Sequence, residues 1–155
     1  MKESSDSTSG MNFTPLFHNL QFDTFYIEDS KEYKSQPDGV RVVEFVTRKD
    51  KTTYFIEAKR TIANDNKKGK ARDAFFFDIF KKVYDTYIVL NSCNISKYTS
   101  VEQFVFVLVI PEIPDKFLTG LRNQLKKHLV MFDKISGFDI QVFNEKIARE
   151  KKWIV

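Results

Sequence analysis

Two short stretches of this chain bring acids and a lysine together in a way that could do chemistry: Pro37-Asp38, and further along Glu57-Ala58-Lys59. Two carboxylates and an ammonium on neighbouring strands can hold a hard divalent cation beside a phosphodiester. The carboxylate oxygens ligate the cation, the cation lowers the pKa of a bound water, and the lysine offsets charge on the phosphate. The Asp/Glu-x-Lys pattern alone is weak in a chain of which 30% of residues are charged, and it recurs at Asp29-Ser30-Lys31, Glu32-Tyr33-Lys34, Asp65-Asn66-Lys67 and Glu150-Lys151-Lys152. Those four lie in polar surroundings. Only Glu57-Ala58-Lys59 closes an apolar, β-branched run, and only it follows a Pro-Asp at hairpin distance. The other Pro-Asp, Pro114-Asp115, precedes an amphipathic segment and reads as a helix start.

The elements that must position these residues form a predicted β-hairpin. Val40–Val46 and Thr52–Ala58 are rich in β-branched and aromatic residues, and the polar stretch Thr47–Lys51 between them is short enough to join antiparallel neighbours. Period-2 alternation places Tyr54, Ile56 and Ala58 on one face and Phe55, Glu57 and Lys59 on the other. A loop of about four residues sets Asp38 opposite Lys59, with Glu57 as a diagonal neighbour. Glu44 is the reserve acid: it shares parity with Val40 and Val42, and a different register puts it across from Glu57. The bland alternative is that Pro37-Asp38-Gly39 is simply a turn and that Glu57 and Lys59 are a solvated strand end. Charge set against Ile56 and Ala58 in a central strand is expensive without a partner, which argues against the second half of that alternative.

With Pro37-Asp38 and Glu57-Ala58-Lys59 in this context, the chain resembles the PD-(D/E)XK nuclease superfamily, the restriction-endonuclease-like fold. The resemblance implies that Asp38 and Glu57 ligate Mg²⁺, with Mn²⁺ as a substitute, and that Lys59 orients the attacking water. It also implies an additional acid from an upstream element, for which Glu28 is the candidate and Glu44 the reserve. The implied activity is metal-dependent phosphodiester hydrolysis, with DNA ahead of RNA as substrate and a homodimer or partner subunit needed for double-strand cutting. The alternative is a non-catalytic nucleic-acid-binding or protein-interaction module that keeps the fold.

Charge adds a direction. The net charge is +4 and the pI about 9.0, a mild basic excess. Arg60, Lys67, Lys68, Lys70 and Arg72 follow directly on the Glu57/Lys59 strand, where they could contact a nucleic-acid backbone; otherwise they are a solvated loop and helix entry.

Composition excludes several other chemistries. The only histidines are His18 and His128 and the only cysteine is Cys93, so neither a zinc cluster nor a disulfide is available. Gly39, Gly69, Gly120 and Gly137 are isolated and make no phosphate-cradling loop. The polar start shows no signal-peptide core, and the longest apolar run, Phe104–Ile110, is too short to span a bilayer. A cytoplasmic protein without membrane attachment is the expectation. Residues 1–10 read as a disordered tail and 11–155 as one nuclease-like domain.

Along that domain the pattern predicts a mixed segment at Asn12–Leu20, a strand at Phe22–Glu28, the hairpin, and a polar loop at Ala63–Lys70. A helix at Ala71–Leu90 follows, with Phe76, Phe80, Val83 and Tyr87 as its core stripe. A strand over Glu102–Ile110 has the continuous apolar character of one covered on both faces. An amphipathic helix at Asp115–Met131, a strand at Phe138–Phe143 and a charged tail complete the chain. The fold class is α/β: a restriction-endonuclease-like mixed β-sheet flanked by helices.

Overall fold

The computed structural model describes residues 22–60, 70–134 and 137–151. The predicted tail at residues 1–10, the Asn12–Leu20 segment, Lys67 and Lys68, and Trp153-Ile154-Val155 lie outside the described residues.

Five strands form one mixed sheet: β1 (Asp23–Phe25), β2 (Phe45–Lys49), β3 (Thr52–Ala58), β4 (Gln103–Val109) and β5 (Phe138–Phe143). Their spatial order is their chain order. β1, β2 and β3 meander antiparallel, whereas β4 joins β3 in parallel and β5 joins β4 in parallel. The switch follows from the connections. A tight turn at Asp50-Lys51 links β2 to β3, with Asp50 in the left-handed region (φ 55°) that Asp tolerates. The two parallel joins each need a crossover, and helices supply them.

The helices are α1 (Lys31–Lys34), α2 (Lys70–Ser92), α3 (Ser96–Thr99), α4 (Leu118–His128) and α5 (Glu145–Glu150). α2 crosses from β3 to β4 and α4 from β4 to β5. Both pack on the face that carries Val46, Phe55, Phe106, Leu108 and Ile140, to which they contribute Phe76, Ile79, Val83, Leu121 and Leu125. The opposite face carries Phe45, Ile56, Ala58, Val107 and Phe143, covered in part by Ala148 of α5. β4 is buried from Phe104 to Val109, as a strand sandwiched between layers must be. Asn144 caps α5, accepting the Ile147 N–H at 2.9 Å, so the charged tail begins as a helix. Among the described residues no helix is long and apolar enough to cross a membrane.

Three expectations about elements need correction. The strand predicted over Phe22–Glu28 ends at Phe25, and the chain turns through a 3₁₀ segment at Ile27–Asp29 before α1. The helix predicted over Asp115–Met131 is α only from Leu118 to His128, with 3₁₀ turns at Asp115–Phe117 and Val130–Lys134. Most consequential, β2 starts at Phe45 and not at Val40. The preceding residues leave the ladder because α2 takes their backbone donors: Arg41 N–H binds Asp85 Oδ2 at 2.8 Å and Val43 N–H binds Thr86 Oγ1 at 2.9 Å. A backbone group satisfied by a helix side chain has no need of a strand partner.

Candidate functional site

β3 presents its residues as alternation requires. Phe55 and Glu57 face α2, while Ile56 and Ala58 join the opposite core. Lys59 lies one residue beyond the strand, yet its N–H still reaches Val109 O at 2.9 Å and continues the β3–β4 ladder. Its side chain therefore points to the same side as Glu57.

Glu57 is 1% exposed, and two ammonium groups meet one of its oxygens. Lys82 Nζ of α2 lies 2.5 Å from Oε1, and Lys59 Nζ lies 3.2 Å from the same atom. The other oxygen, Oε2, is shut off from solvent and accepts no hydrogen bond. Lys59 also reaches Asp78 Oδ2 at 3.3 Å, and Asp78 Oδ1 holds the Arg41 guanidinium at 2.8 Å. Burial by itself lowers the pKa of Lys59, but the Glu57 and Asp78 carboxylates outweigh it and hold the ammonium above the ordinary lysine value.

α2 contributes through a polar stripe. Asp78, Lys82, Asp85 and Thr86 recur at helical spacing beside the apolar one and turn toward β3 and the segment before β2. Asp85 Oδ2 accepts both the Arg41 N–H and the Lys81 ammonium, the latter at 2.6 Å. Thr86 Oγ1 receives the Val43 N–H and donates to Lys82 O at 2.6 Å. These bonds strap residues 41–43 to the helix and fix how the chain enters β2.

That entry also sets where Glu44, the residue just before β2, lies. The last ladder pair of the hairpin is Phe45↔Ile56, so Glu44, the residue before it on one strand, and Glu57, the residue after it on the other, flank the end of the ladder. Glu44 is half-buried, with its Oε2 screened from solvent. Asp38 is not in this place. It sits in an exposed turn closed by Val40 N–H to Pro37 O, with Gly39 in the left-handed region (φ 90°), and it makes no ion pair with any described residue. The expected pairing of Asp38 with Lys59 fails because it required an unbroken strand from Val40. Glu28 lies in the exposed 3₁₀ turn after β1, at the same end of the sheet as Glu44.

The predicted basic contacts divide. Arg60 is exposed directly after Lys59. Lys70 opens α2, and its side chain lies outside the described residues, as do Lys67 and Lys68 altogether. Arg72 is a strut between helices: it donates to Gln124 Oε1 of α4 at 2.5 Å, and its guanidinium lies 5.9 Å from the Phe76 ring centre. His128 stacks on Phe76 with ring centres 4.5 Å apart, so it packs. Sequence reasoning missed Asp78 and Lys82. The signal available was their spacing on the border of the apolar stripe of α2, where a helix docked over a strand end turns polar side chains inward.

Among the described residues no group of three or more His, Cys, Asp or Glu gathers as a multi-carboxylate metal cage would. A site of one or two acids meets a smaller demand. Mg²⁺ uses one or two carboxylates and fills its octahedron with water and phosphate, and the unsatisfied, buried Oε2 of Glu57 is an acceptor that a cation would satisfy. The chain has no match among family models, curated proteins or solved structures.

Proposed function

We propose that this chain is a metal-dependent nuclease of the PD-(D/E)XK kind, cleaving phosphodiester bonds with DNA ahead of RNA as substrate. In this reading Glu44 stands where Asp38 was expected. Glu44 and Glu57 hold the Mg²⁺ or Mn²⁺, and Lys59 places a positive charge beside the scissile phosphate. The observation that carries the reading is that Glu44 and Glu57 flank the last ladder pair of the hairpin, Phe45↔Ile56, with Lys59 against Glu57. The sheet order supports it: an antiparallel meander, a helical crossover and two parallel strands match the element order that the resemblance implies. When bound, the divalent ion supplies Lewis acidity and a lowered pKa for water. The chain's own part is to keep Glu57 fixed and to hold Lys59 between two carboxylates.

The test is cleavage of supercoiled and linear DNA with Mg²⁺ or Mn²⁺ by wild type and by Glu44→Gln, Glu57→Gln, Lys59→Ala and Asp38→Ala. The first three abolish cleavage and Asp38→Ala leaves it intact. Loss of cleavage in a folded Asp38→Ala protein together with full activity in Glu44→Gln refutes the assignment.

One observation favours the second reading, a non-catalytic module of the same fold. Glu57 is already neutralised by two ammonium groups, so the site is electrostatically complete without an ion. A binding module retains DNA affinity in EDTA and cuts nothing when Mg²⁺ or Mn²⁺ is added.

A further inference from the structure

A lysine buried to this degree needs a reason. The Lys82 side chain is 10% exposed, it rises from the middle of α2, and its only ion-pair partner among the described residues is Glu57. Burying an ammonium is costly unless it is paired, and breaking such a pair is costlier than never having built it. Lys82 is therefore tied to whatever Glu57 does. Its contact is also one-sided. Lys82 and Lys59 both address Oε1, at 2.5 and 3.2 Å, while Oε2 receives nothing. Thr86 Oγ1, donating to Lys82 O, anchors that turn of α2 to the strap that leads into Glu44.

We infer that Lys82 is a positioning residue that restricts Glu57 to one ligating oxygen, Oε2, and so makes the site selective for small octahedral cations over Ca²⁺. The inference rests on the proposed metal site and deepens it. The physical reason is coordination number. Mg²⁺ and Mn²⁺ are content with single oxygens from one or two carboxylates in an octahedron, whereas Ca²⁺ takes six to eight oxygens at longer distances and gains from a carboxylate that offers both. With Oε1 saturated by ammonium groups, Glu57 cannot offer both.

The experiment is calorimetric titration of the whole chain with Mn²⁺, Mg²⁺ and Ca²⁺, without nucleic acid. Wild type binds Mn²⁺ in preference to Ca²⁺. Lys82→Met leaves Oε1 to Lys59 alone, which Asp78 can retain, and raises Ca²⁺ affinity relative to Mn²⁺ by about tenfold, the lower end of what removing a ligand's supporting partner does. Lys82→Arg keeps the charge, but its fork engages both carboxylate oxygens. It weakens Mn²⁺ binding by about tenfold or more without loss of folded structure by circular dichroism. An unchanged Ca²⁺/Mn²⁺ ratio in Lys82→Met, or undiminished Mn²⁺ binding in Lys82→Arg, overturns the inference; should the Met variant not fold, the Arg variant decides. Wild type that binds none of the three ions refutes the metal site itself. A selective wild type with indifferent Lys82 variants refutes only the role of Lys82.

Discussion

The Glu57–Lys82 pair makes a stability prediction that needs no substrate. Glu57→Leu removes the only ion-pair partner, among the described residues, of a lysine whose side chain is 10% exposed, so Lys82 is left as a buried, uncompensated charge. That costs about 3–5 kcal/mol. Lys82→Met is milder, because Glu57 retains Lys59 at 3.2 Å; about 1–3 kcal/mol covers the lost charge-assisted bond. The double variant Glu57→Leu/Lys82→Met replaces the pair with apolar side chains of similar size, and Lys59 still has Asp78 at 3.3 Å. Replacing both members of a buried pair is often neutral, so the double variant sits within about 1 kcal/mol of wild type. The cycle therefore shows about 3 kcal/mol or more of non-additivity, at or above the top of the range for contacting residues. For a chain of 155 residues the Glu57→Leu loss lowers Tm by roughly 6–20 °C, at about 2–4 °C per kcal/mol. Urea unfolding followed by far-UV circular dichroism gives the four free energies. If the two single losses sum to that of the double variant within about 0.5 kcal/mol, the pair is not the buried couple described, and the argument for Lys82 as a positioning residue falls with it.

Three further outcomes are expected. Burial alone would raise the Asp23 carboxyl, but hydrogen bonds from Lys97 and Tyr98 outweigh it and hold it below the ordinary 3.8, while burial and then Asp23 push Tyr98 well above its ordinary 10.0. Stability from Asp23 is thus present above 3.8 and lost as pH falls through its lower folded value, whereas that from Tyr98 is present below 10.0 and lost as pH rises through its higher one; Tyr98→Phe removes the alkaline limb from a plot of Tm against pH. Gly137→Ala destabilises by more than about 1 kcal/mol, measured by urea unfolding, because Gly137 has φ 74° and an added Cβ meets Glu102 O at the turn before β5. Changing Lys67, Lys68 and Lys70 together to Ala reduces the log–log salt slope of DNA binding by roughly 2–3 if each contacts a phosphate, and an unchanged slope marks them as a solvated segment.

How far the site was legible depends on which interactions set each part. The parity of β3 follows from period 2, so the shared side of Glu57 and Lys59 was readable from Tyr54-Phe55-Ile56-Glu57-Ala58-Lys59 alone. The apolar run of β4 announced a strand covered on both faces, and the Phe-rich stripe of α2 announced a core helix; both are as the sequence implied. The start of β2 was not readable in this way. Val40, Val42 and Val43 have every local reason to continue a strand, and Val42 and Val43 are indeed buried. What stops the ladder is remote: Asp85 and Thr86, more than forty residues later, take the backbone donors of Arg41 and Val43. Strand propensity describes how a side chain fits a pleated surface, and it carries no information about a helix side chain competing for the N–H.

The same competition explains why Asp38 does not reach Lys59. Pro37-Asp38-Gly39 satisfied a motif and a turn at once, and the turn prevailed because Gly39 supplies the positive φ it requires. Glu44 carried no motif. It enters the proposal only because the strap to α2 ends the ladder at Phe45, one residue after it. Asp78 and Lys82 were hidden for a related reason. On a helix surface a charged residue beside the core stripe looks like any solvated one until the helix lies over a strand end that carries an opposite charge. Here α2 does two things with one polar stripe: Asp85 and Thr86 take the backbone donors of the segment leading into Glu44 and β2, and Asp78 and Lys82 hold Lys59 and Glu57 in place. A change on that stripe therefore acts on the proposed site in two ways, through how the chain enters β2 and through how Glu57 is held. On this argument Thr86→Val, which removes the strap's acceptor but no charged group, disturbs the proposed site through the entry to β2 alone.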